Sequence, residues 1–370
     1  MKPKNIIFHH PLNINTNPVS GSQIRPVQMI KAFIDAGFNV DTVFGTAKDR
    51  IKQIHKIKKE INSGKKYDFL YSESSTEPTM MTERHHLPIY FWVDFGFFYF
   101  CKSKGIPIGL FYRDIYWKFD GYAKEAAFWK KAGAKLFYRL DIVLYNKLID
   151  VIFLPSKRMA DYIPEIKTKI VSLPPGIFFD ANKFQDSQKF SSNKDLIILY
   201  VGGIGDHYKM HLFFKAVNEI NGVRLIICTR KFEWDKEKIY YSQDLSDKIS
   251  IFHKYGKDLS ILYREADICS LFVEAYEYWN FAMPIKLFEY MSYKKPIIAS
   301  NKTAAGDFVK ENNVGWVINY DKEELINLLK MLKLERDIIS NKAENIDRIL
   351  LNNTWKSRAI TVAQTLAQKK

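Results

Sequence analysis

At 370 residues the chain is long enough for two domains. With 47% hydrophobic and 15% aromatic residues it can bury sizeable cores, which excludes a disordered chain. The net charge of +15 is uneven: residues 1–178 hold 27 Lys and Arg against 16 Asp and Glu (net +11), and residues 179–370 hold 29 against 25 (net +4). Such a basic half points to an anionic partner. No zinc-finger, RNP-like or basic-zipper pattern supports nucleic acid in that role. The three cysteines, Cys101, Cys228 and Cys269, are far apart and odd in number, so they read as buried thiols in a reducing cytoplasm.

The chain enters directly on a strand-like run, Asn5–His9, with no visible signal peptide. Further strands are expected at Asn39–Phe44, Phe69–Ser72, Ile108–Tyr112, Val151–Leu154 and Ile170–Leu173, alternating with helical patterns. The longest apolar run, Ile89–Cys101, carries Asp94 and is too short to span a bilayer, so it reads as a buried helix. A polar stretch, Lys183–Lys194, reads as a linker. The alternation then restarts with Leu196–Val201, Arg224–Thr229, Ile249–Phe252, Ile268–Phe272, Pro296–Ser300 and Gly315–Ile318. Two such series predict two doubly wound α/β domains.

Four segments carry candidate chemistry. The loop Asn15–Arg25 leads into a helix, and Gly21 at its start lets backbone approach a phosphate. Arg113-Asp114 follows a strand, where charged residues point into the binding crevice of an open α/β sheet; a local ion pair is the simpler reading. Tyr200-Val201-Gly202-Gly203 ends the first strand of the second series, with Lys209 a few residues on. The run Ala282-Met283-Pro284-Ile285-Lys286-Leu287-Phe288-Glu289-Tyr290-Met291 starts a helix at its Pro and carries one carboxylate a turn in. Helix N-termini suit anions, and an ionised carboxylate accepts from sugar hydroxyls.

Two negative observations narrow the chemistry. The G-x-G-x-x-G dinucleotide fingerprint is missing from the first loop. No Asp-x-Asp occurs, and the His9-His10 and His85-His86 pairs are poor metal ligands, so no metal is expected. The segment Tyr122–Asn146 mixes Lys124, Lys130, Lys131, Lys135 and Arg139 with Phe128, Trp129, Phe137 and Tyr138. That suits either an anionic membrane interface or a solvated basic face over a buried aromatic stripe.

The Pro284–Met291 run, with Lys295-Pro296-Ile297-Ile298-Ala299 after it, resembles the donor-binding motif of the large group 1, family-4-like retaining glycosyltransferases of GT-B fold. The resemblance extends over nearly the whole chain. "TWKSRA" from Thr354 resembles the start of that family's last helix, which crosses back onto the first domain. The resemblance implies two Rossmann-like domains facing across a cleft: an acceptor domain, 1–178 with about 355–370, and a nucleotide-sugar domain, 179–354. It implies a hexosyltransferase-type enzyme acting with retention and without a metal or other cofactor. A nucleotide-diphosphate-sugar is the donor and a glycan or lipid-linked molecule the acceptor, in cell-surface glycan synthesis. The place of action would be the cytoplasmic face of the membrane, peripherally bound. Gly21, Gly203, Met283, Pro284, Ile285, Lys286 and Glu289 would bind the donor, with Glu289 on the ribose.

The chain departs from the family pattern twice. The family's Arg after the first Gly of the "Y-V-G" loop is Gly203 here, and the first Glu of its Glu-x7-Glu pair is Phe281. The leaving diphosphate then needs Lys209, Arg230 and Lys286, with Arg113 contacting either it or an anionic acceptor. A nucleotide-sugar epimerase of the same fold and a non-catalytic nucleotide-binding subunit are the alternatives.

Overall fold

The computed structural model describes residues 4–15, 21–119, 128–178, 195–205 and 208–368, with backbone alone at 21, 22 and 128–131. The chain divides into two compact units, residues 1–176 with 355–370, and residues 177–354.

The first unit is built on six parallel strands: β1 (Lys4–His9), β2 (Phe38–Val43), β3 (Phe69–Glu73), β4 (Ile108–Phe111), β5 (Val151–Leu154) and β6 (Lys169–Ser172). Their order is β2-β1-β3-β4-β5-β6. Ile6, Ile7 and Phe8 of β1 are all fully buried, as a parallel strand covered on both faces requires. The crossovers carry α1 (Gly21–Asp35), α2 (Ala47–Asn62), α3 (Trp92–Ser103) and α4 (Phe128–Leu148). Thr46 and Asp49 close a capping box at the start of α2.

The second unit repeats the plan with β7 (Leu196–Val201), β8 (Val223–Cys228), β9 (Ile249–Phe252), β10 (Ile268–Leu271), β11 (Ile297–Ser300) and β12 (Gly315–Ile318). All pairs are parallel, in the order β12-β11-β10-β7-β8-β9. Its helices are α5 (His211–Asn218), α6 (Lys231–Glu237), α7 (Gly256–Glu265), α8 (Ile285–Ser292), α9 (Ala304–Glu311), α10 (Lys322–Leu334) and α11 (Arg336–Leu350). Two buried clusters flank the sheet, one around Tyr200, Phe213 and Phe272, the other around Leu287, Phe288 and Tyr290.

The last helix, α12 (Trp355–Ala367), belongs to the first unit and packs on α1. Arg358 fastens it: its Nε donates to the carbonyls of Pro174 and Pro175, both at 3.1 Å. The return of this helix, expected from "TWKSRA", is thus present.

Every predicted strand is found, with ends within one residue. The expected buried helix at Ile89–Cys101 needs correction. It starts only at Trp92, and its inner face holds Asp94, Phe95, Phe97, Phe98 and Cys101. Its outer face leaves Trp92 61% and Tyr99 68% exposed, and Leu87, Ile89 and Phe91 before it are exposed too. Asp94 is tolerated inside because it is fully paired, to His9 Nε2 at 2.8 Å and to Arg50 through two bonds of 2.9 and 3.1 Å. The expected linker Lys183–Lys194, Tyr122, Lys124 and residues 16–20 of the first loop lie outside the described residues.

Candidate active site

In both sheets the first strand has neighbours whose crossovers run to opposite sides. These switch points lie between β1 and β3 in one sheet and between β10 and β7 in the other. Crevices at the carboxyl ends of strands beside such points are where open α/β sheets bind ligands.

In the second unit, β7 ends at Val201 and the chain turns at Gly202, whose N–H donates to the carbonyl of Cys228 at 2.9 Å. Gly202 has φ of +148°, and a Cβ there would stand 1.7 Å from Lys286 Nζ. Bare backbone at Gly202 therefore makes the seat of the lysine ammonium. Lys286 Nζ donates to Tyr200 Oη at 3.2 Å and lies 4.8 and 4.4 Å from the ring centres of Tyr200 and Tyr208. Burial pushes its pKa down to about 7; Glu289 and Glu233 oppose the shift and Arg230 adds to it.

Lys286 and Glu289 both stand on α8. Pro284 precedes this helix in extended conformation and gives it no side-chain cap, so its N-terminal N–H groups face outward. Leu287, Phe288, Tyr290 and Met291 are fully buried and fix its inner face. Tyr290 Oη ties it to the sheet, accepting from Val201 N at 3.0 Å and reaching the carbonyl of Ser270 at 3.4 Å. Glu289 follows Lys286 by three residues on the same face.

Gly203 has Tyr208 and Glu233 against it: a Cβ would meet them at 3.3 and 3.4 Å. An arginine side chain at this position would have to pass both. Arg230 precedes α6 and pairs with Glu233. Lys209 pairs with Glu274 at 2.9 Å, with both side chains half exposed. It lines a separate cavity of about 300 Å³ with His211, Lys236 and Tyr240. The proposed cationic trio is therefore brought together only in part: Arg230 acts electrostatically on Lys286, while Lys209 faces the other cavity. Phe281, at the position of the missing carboxylate, is 1% exposed and packs edge-on against Tyr278.

In the first unit, Gly21 is the first residue of α1, and the loop before it lies outside the described residues. Arg113, read either as a ligand-binding cation or as a local partner of Asp114, meets a second carboxylate besides Asp114. Its guanidinium lies 3.5 Å from Glu73 at the end of β3, while Asp114 accepts from Tyr116 N at 2.8 Å. The same Glu73 accepts from Arg25 Nε at 3.2 Å and from Tyr71 Oη at 3.0 Å. Arg25 in turn stacks 3.4 Å from the ring centre of Phe111.

Sequence spacing gives no sign of Glu233, Glu73 or His10 at these sites, since Glu233 arrives from α6 and Glu73 and His10 from the ends of two other strands. Among the described residues no group of three His, Cys, Asp or Glu side chains is placed to hold a metal.

A family model described as glycosyl transferases group 1 matches residues 195–333, nearly all of the second unit's sheet and its donor-motif helix. Those residues are a group 1 glycosyltransferase domain. The whole fold is similar to that of solved glycosyltransferases. Anabaena Alr3699/HepE in complex with UDP matches over 98% of this chain and all of its own, with 14% identity and a TM-score of 0.65. Its complex with UDP-glucose gives 0.63. A glycosyltransferase from Rickettsia africae ESF-5 covers 100% of this chain and 99% of its own, at 15% identity and 0.66. WaaG, a glycosyltransferase involved in lipopolysaccharide biosynthesis, covers 98% and 99%, at 14% identity and 0.59. No relative is found among curated proteins. The chain thus has the GT-B fold, with a group 1 glycosyltransferase domain at residues 195–333.

Proposed function

We propose that this glycosyltransferase moves a hexosyl-type unit, with retention and without a metal, from a nucleotide-diphosphate-sugar to a glycan or lipid-linked acceptor. The observation that carries the reading is the Lys286 seat at Gly202, beside Arg230 and the uncapped start of α8, at the switch point of the second sheet. A departing diphosphate needs cations held at a fixed place, and that seat holds Lys286, which takes up its proton as the diphosphate binds, beside Arg230. Lys286 and Arg230 take the charge, Lys209 is the third and outermost cation, and backbone of Gly203 and Met283–Ile285 lines the diphosphate. Glu289 accepts from the ribose hydroxyls. Similarity to HepE, solved with UDP and UDP-glucose, favours a uridine donor.

Retention follows from front-face attack, in which the leaving diphosphate takes the acceptor proton. Positioning and charge then do the catalysis, and no protein nucleophile is required. The first unit takes the acceptor. The enzyme works at the cytoplasmic face of the membrane in cell-surface glycan synthesis. Support for a membrane surface comes from the exposed Trp92 and Tyr99 of α3 and the exposed Leu136, Leu140 and Val143 along one face of α4, with exposed Arg139 among them.

The test is calorimetric titration of UDP, GDP, ADP and dTDP, followed by incubation of the matching sugar nucleotides with glycan acceptors in chelator. A product of the donor's anomeric configuration, read by NMR, is expected. An inverted product rules out retention, and nucleotide binding with no turnover on any acceptor assigns the chain to binding rather than catalysis.

A further inference from the structure

The first sheet has its own crevice at its own switch point. A cavity of about 180 Å³ is lined there by His10 after β1, Asn13 from the β1–α1 connection, Gln23 in the first turn of α1, Ser75 and Thr76 after β3, and Arg113 after β4. An engineered cavity of about 150 Å³ accepts a benzene ring, so this one has room for a six-membered sugar ring. Its polar lining is amide, hydroxyl, imidazole and guanidinium, with no carboxylate among the described lining residues, and Leu12, Ile14 and Pro26 supply the apolar part.

His10 is 5% exposed and its Nδ1 lies 3.1 Å from the carbonyl oxygen of Glu73. A carbonyl only accepts, so Nδ1 carries the proton and the neutral ring offers Nε2 as a bare acceptor. Burial lowers the His10 pKa to about 3, with Arg113 the next contribution, while the Glu73 bond opposes it. A nitrogen that weakly basic accepts a hydrogen bond but removes no proton from a sugar hydroxyl. His10 is therefore fitted to orient a hydroxyl and unfitted to be a general base.

A shared carboxylate stands behind the cavity. Arg25 and Arg113 share the carboxylate of Glu73, which is fully buried. Asp114 also bears on Arg113, and Arg25 bears on Arg358, but of these guanidinium groups only Arg113 reaches the cavity wall. Arg25 is 4% exposed, and its two terminal nitrogens make no hydrogen bond. An anion in the cavity would meet the Arg113 guanidinium, which shares its buried carboxylate with Arg25.

We propose that this cavity is a subsite for an anionic sugar, with His10 Nε2 accepting from a ring hydroxyl and Arg113 pairing with a carboxylate or phosphate on the same unit. The proposal rests on the first unit's taking the acceptor, and it makes that acceptor acidic. Asn13 and Thr76 supply the neutral polar rim for the remaining hydroxyls.

The experiment titrates the full-length chain with methyl glucuronide, methyl galacturonide, glucose 6-phosphate and methyl glucoside, followed by calorimetry and by the His10 ring nitrogen shifts. At least one anionic sugar should bind ten times more tightly than the neutral glucoside and move the Nε2 resonance. Arg113→Gln should abolish that preference, Arg113→Lys should retain part of it, and His10→Ala should weaken every sugar about tenfold. Uronate binding alone names a carboxylate and glucose 6-phosphate binding alone names a phosphate, each in support. Equal binding of the glucoside, binding unchanged in both His10→Ala and Arg113→Gln, or no binding at all overturns the proposal. UDP titration of the same samples separates the two readings. Retained UDP binding without sugar binding removes this subsite only, whereas sugar binding without nucleotide binding removes the donor assignment only.

Discussion

Lys286 has a pKa near 7, so in the empty site its ammonium is only partly charged at neutral pH. A bound diphosphate favours the charged form, so binding must draw in a proton above that value. Donor affinity is expected to be highest below pH 7 and to fall by up to tenfold per unit above it. Calorimetry at pH 8 in buffers of different ionisation heat should register proton uptake, and Lys286→Met should remove it; an unchanged uptake in that variant would assign the proton elsewhere. Folding has a related sign. The folded value lies below the ordinary 10.5, so the unfolded chain holds this proton more tightly, and this group adds stability as pH rises from about 7 to 10.5. Glu289→Ala should weaken nucleotide binding by about 1–3 kcal/mol, the range for hydrogen bonds to a charged group. Arg230→Ala should lower turnover roughly 10²–10³-fold with a smaller change in donor affinity. Lys209→Ala should cost less, because Lys209 is held by Glu274 beside another cavity. Steady-state kinetics on both variants checks the order. At this scale the sequence is only partly legible. Pro284 and the apolar period announce the start of α8, but the bond from Lys286 to Tyr200 spans 86 residues and leaves no local trace.

The strands are the most readable elements, because a parallel strand buried on both faces must be a short continuous apolar run between polar breaks. Leu196–Val201 and Val151–Leu154 are such runs, and both ends of each fall where the run stops. Helix faces are less readable. The period shows that Ile89–Cys101 is apolar, yet only the fold decides that Trp92 and Tyr99 look outward. Two elements make predictions of their own. Tyr290→Phe removes the tie between α8 and the ends of β7 and β10. It should cost about 1 kcal/mol of stability and weaken donor binding together with it. Urea unfolding and calorimetry on one preparation would show whether the two losses travel together. Truncation after Thr354 removes α12 from α1 and exposes the site of Leu366 beneath Gly109. Hydrogen exchange should then rise in β1, β3 and β4 while β7 and β8 keep their protection; equal loss in both sheets contradicts the division into units.

For the molecule as a whole, the two readable quantities are charge and span. Residues 1–178 carry +11, and among the described residues no helix is long and apolar enough to cross a membrane. A basic unit with outward aromatic side chains on α3 should bind anionic vesicles at low salt and leave them as salt shortens the screening length to about 10 Å at 0.1 M. Co-sedimentation with phosphatidylglycerol vesicles tests it, and Trp92→Ala with Tyr99→Ala should reduce the bound fraction. Failure to sediment at low salt removes the membrane from the picture. Chelator should leave turnover intact; loss that only Mg²⁺ or Mn²⁺ restores would contradict metal-free transfer. Sequence alone is mute on which acceptor the first unit takes, since the crevice of His10 and Arg113 is assembled from three strand ends.

The seat at Gly202 also makes two distant positions interdependent. Any side chain at 202 occupies the space of the Lys286 ammonium, and any side chain at 203 crowds Tyr208 and Glu233. Position 202 is therefore tied to Lys286, and position 203 to Tyr208 and Glu233. Gly202→Ala should weaken donor binding in the native chain and cost nothing further once Lys286→Met is in place. A thermodynamic cycle over this pair should be strongly non-additive. Among related sequences the same logic predicts that a side chain appears at the position of Gly202 only where the lysine has gone.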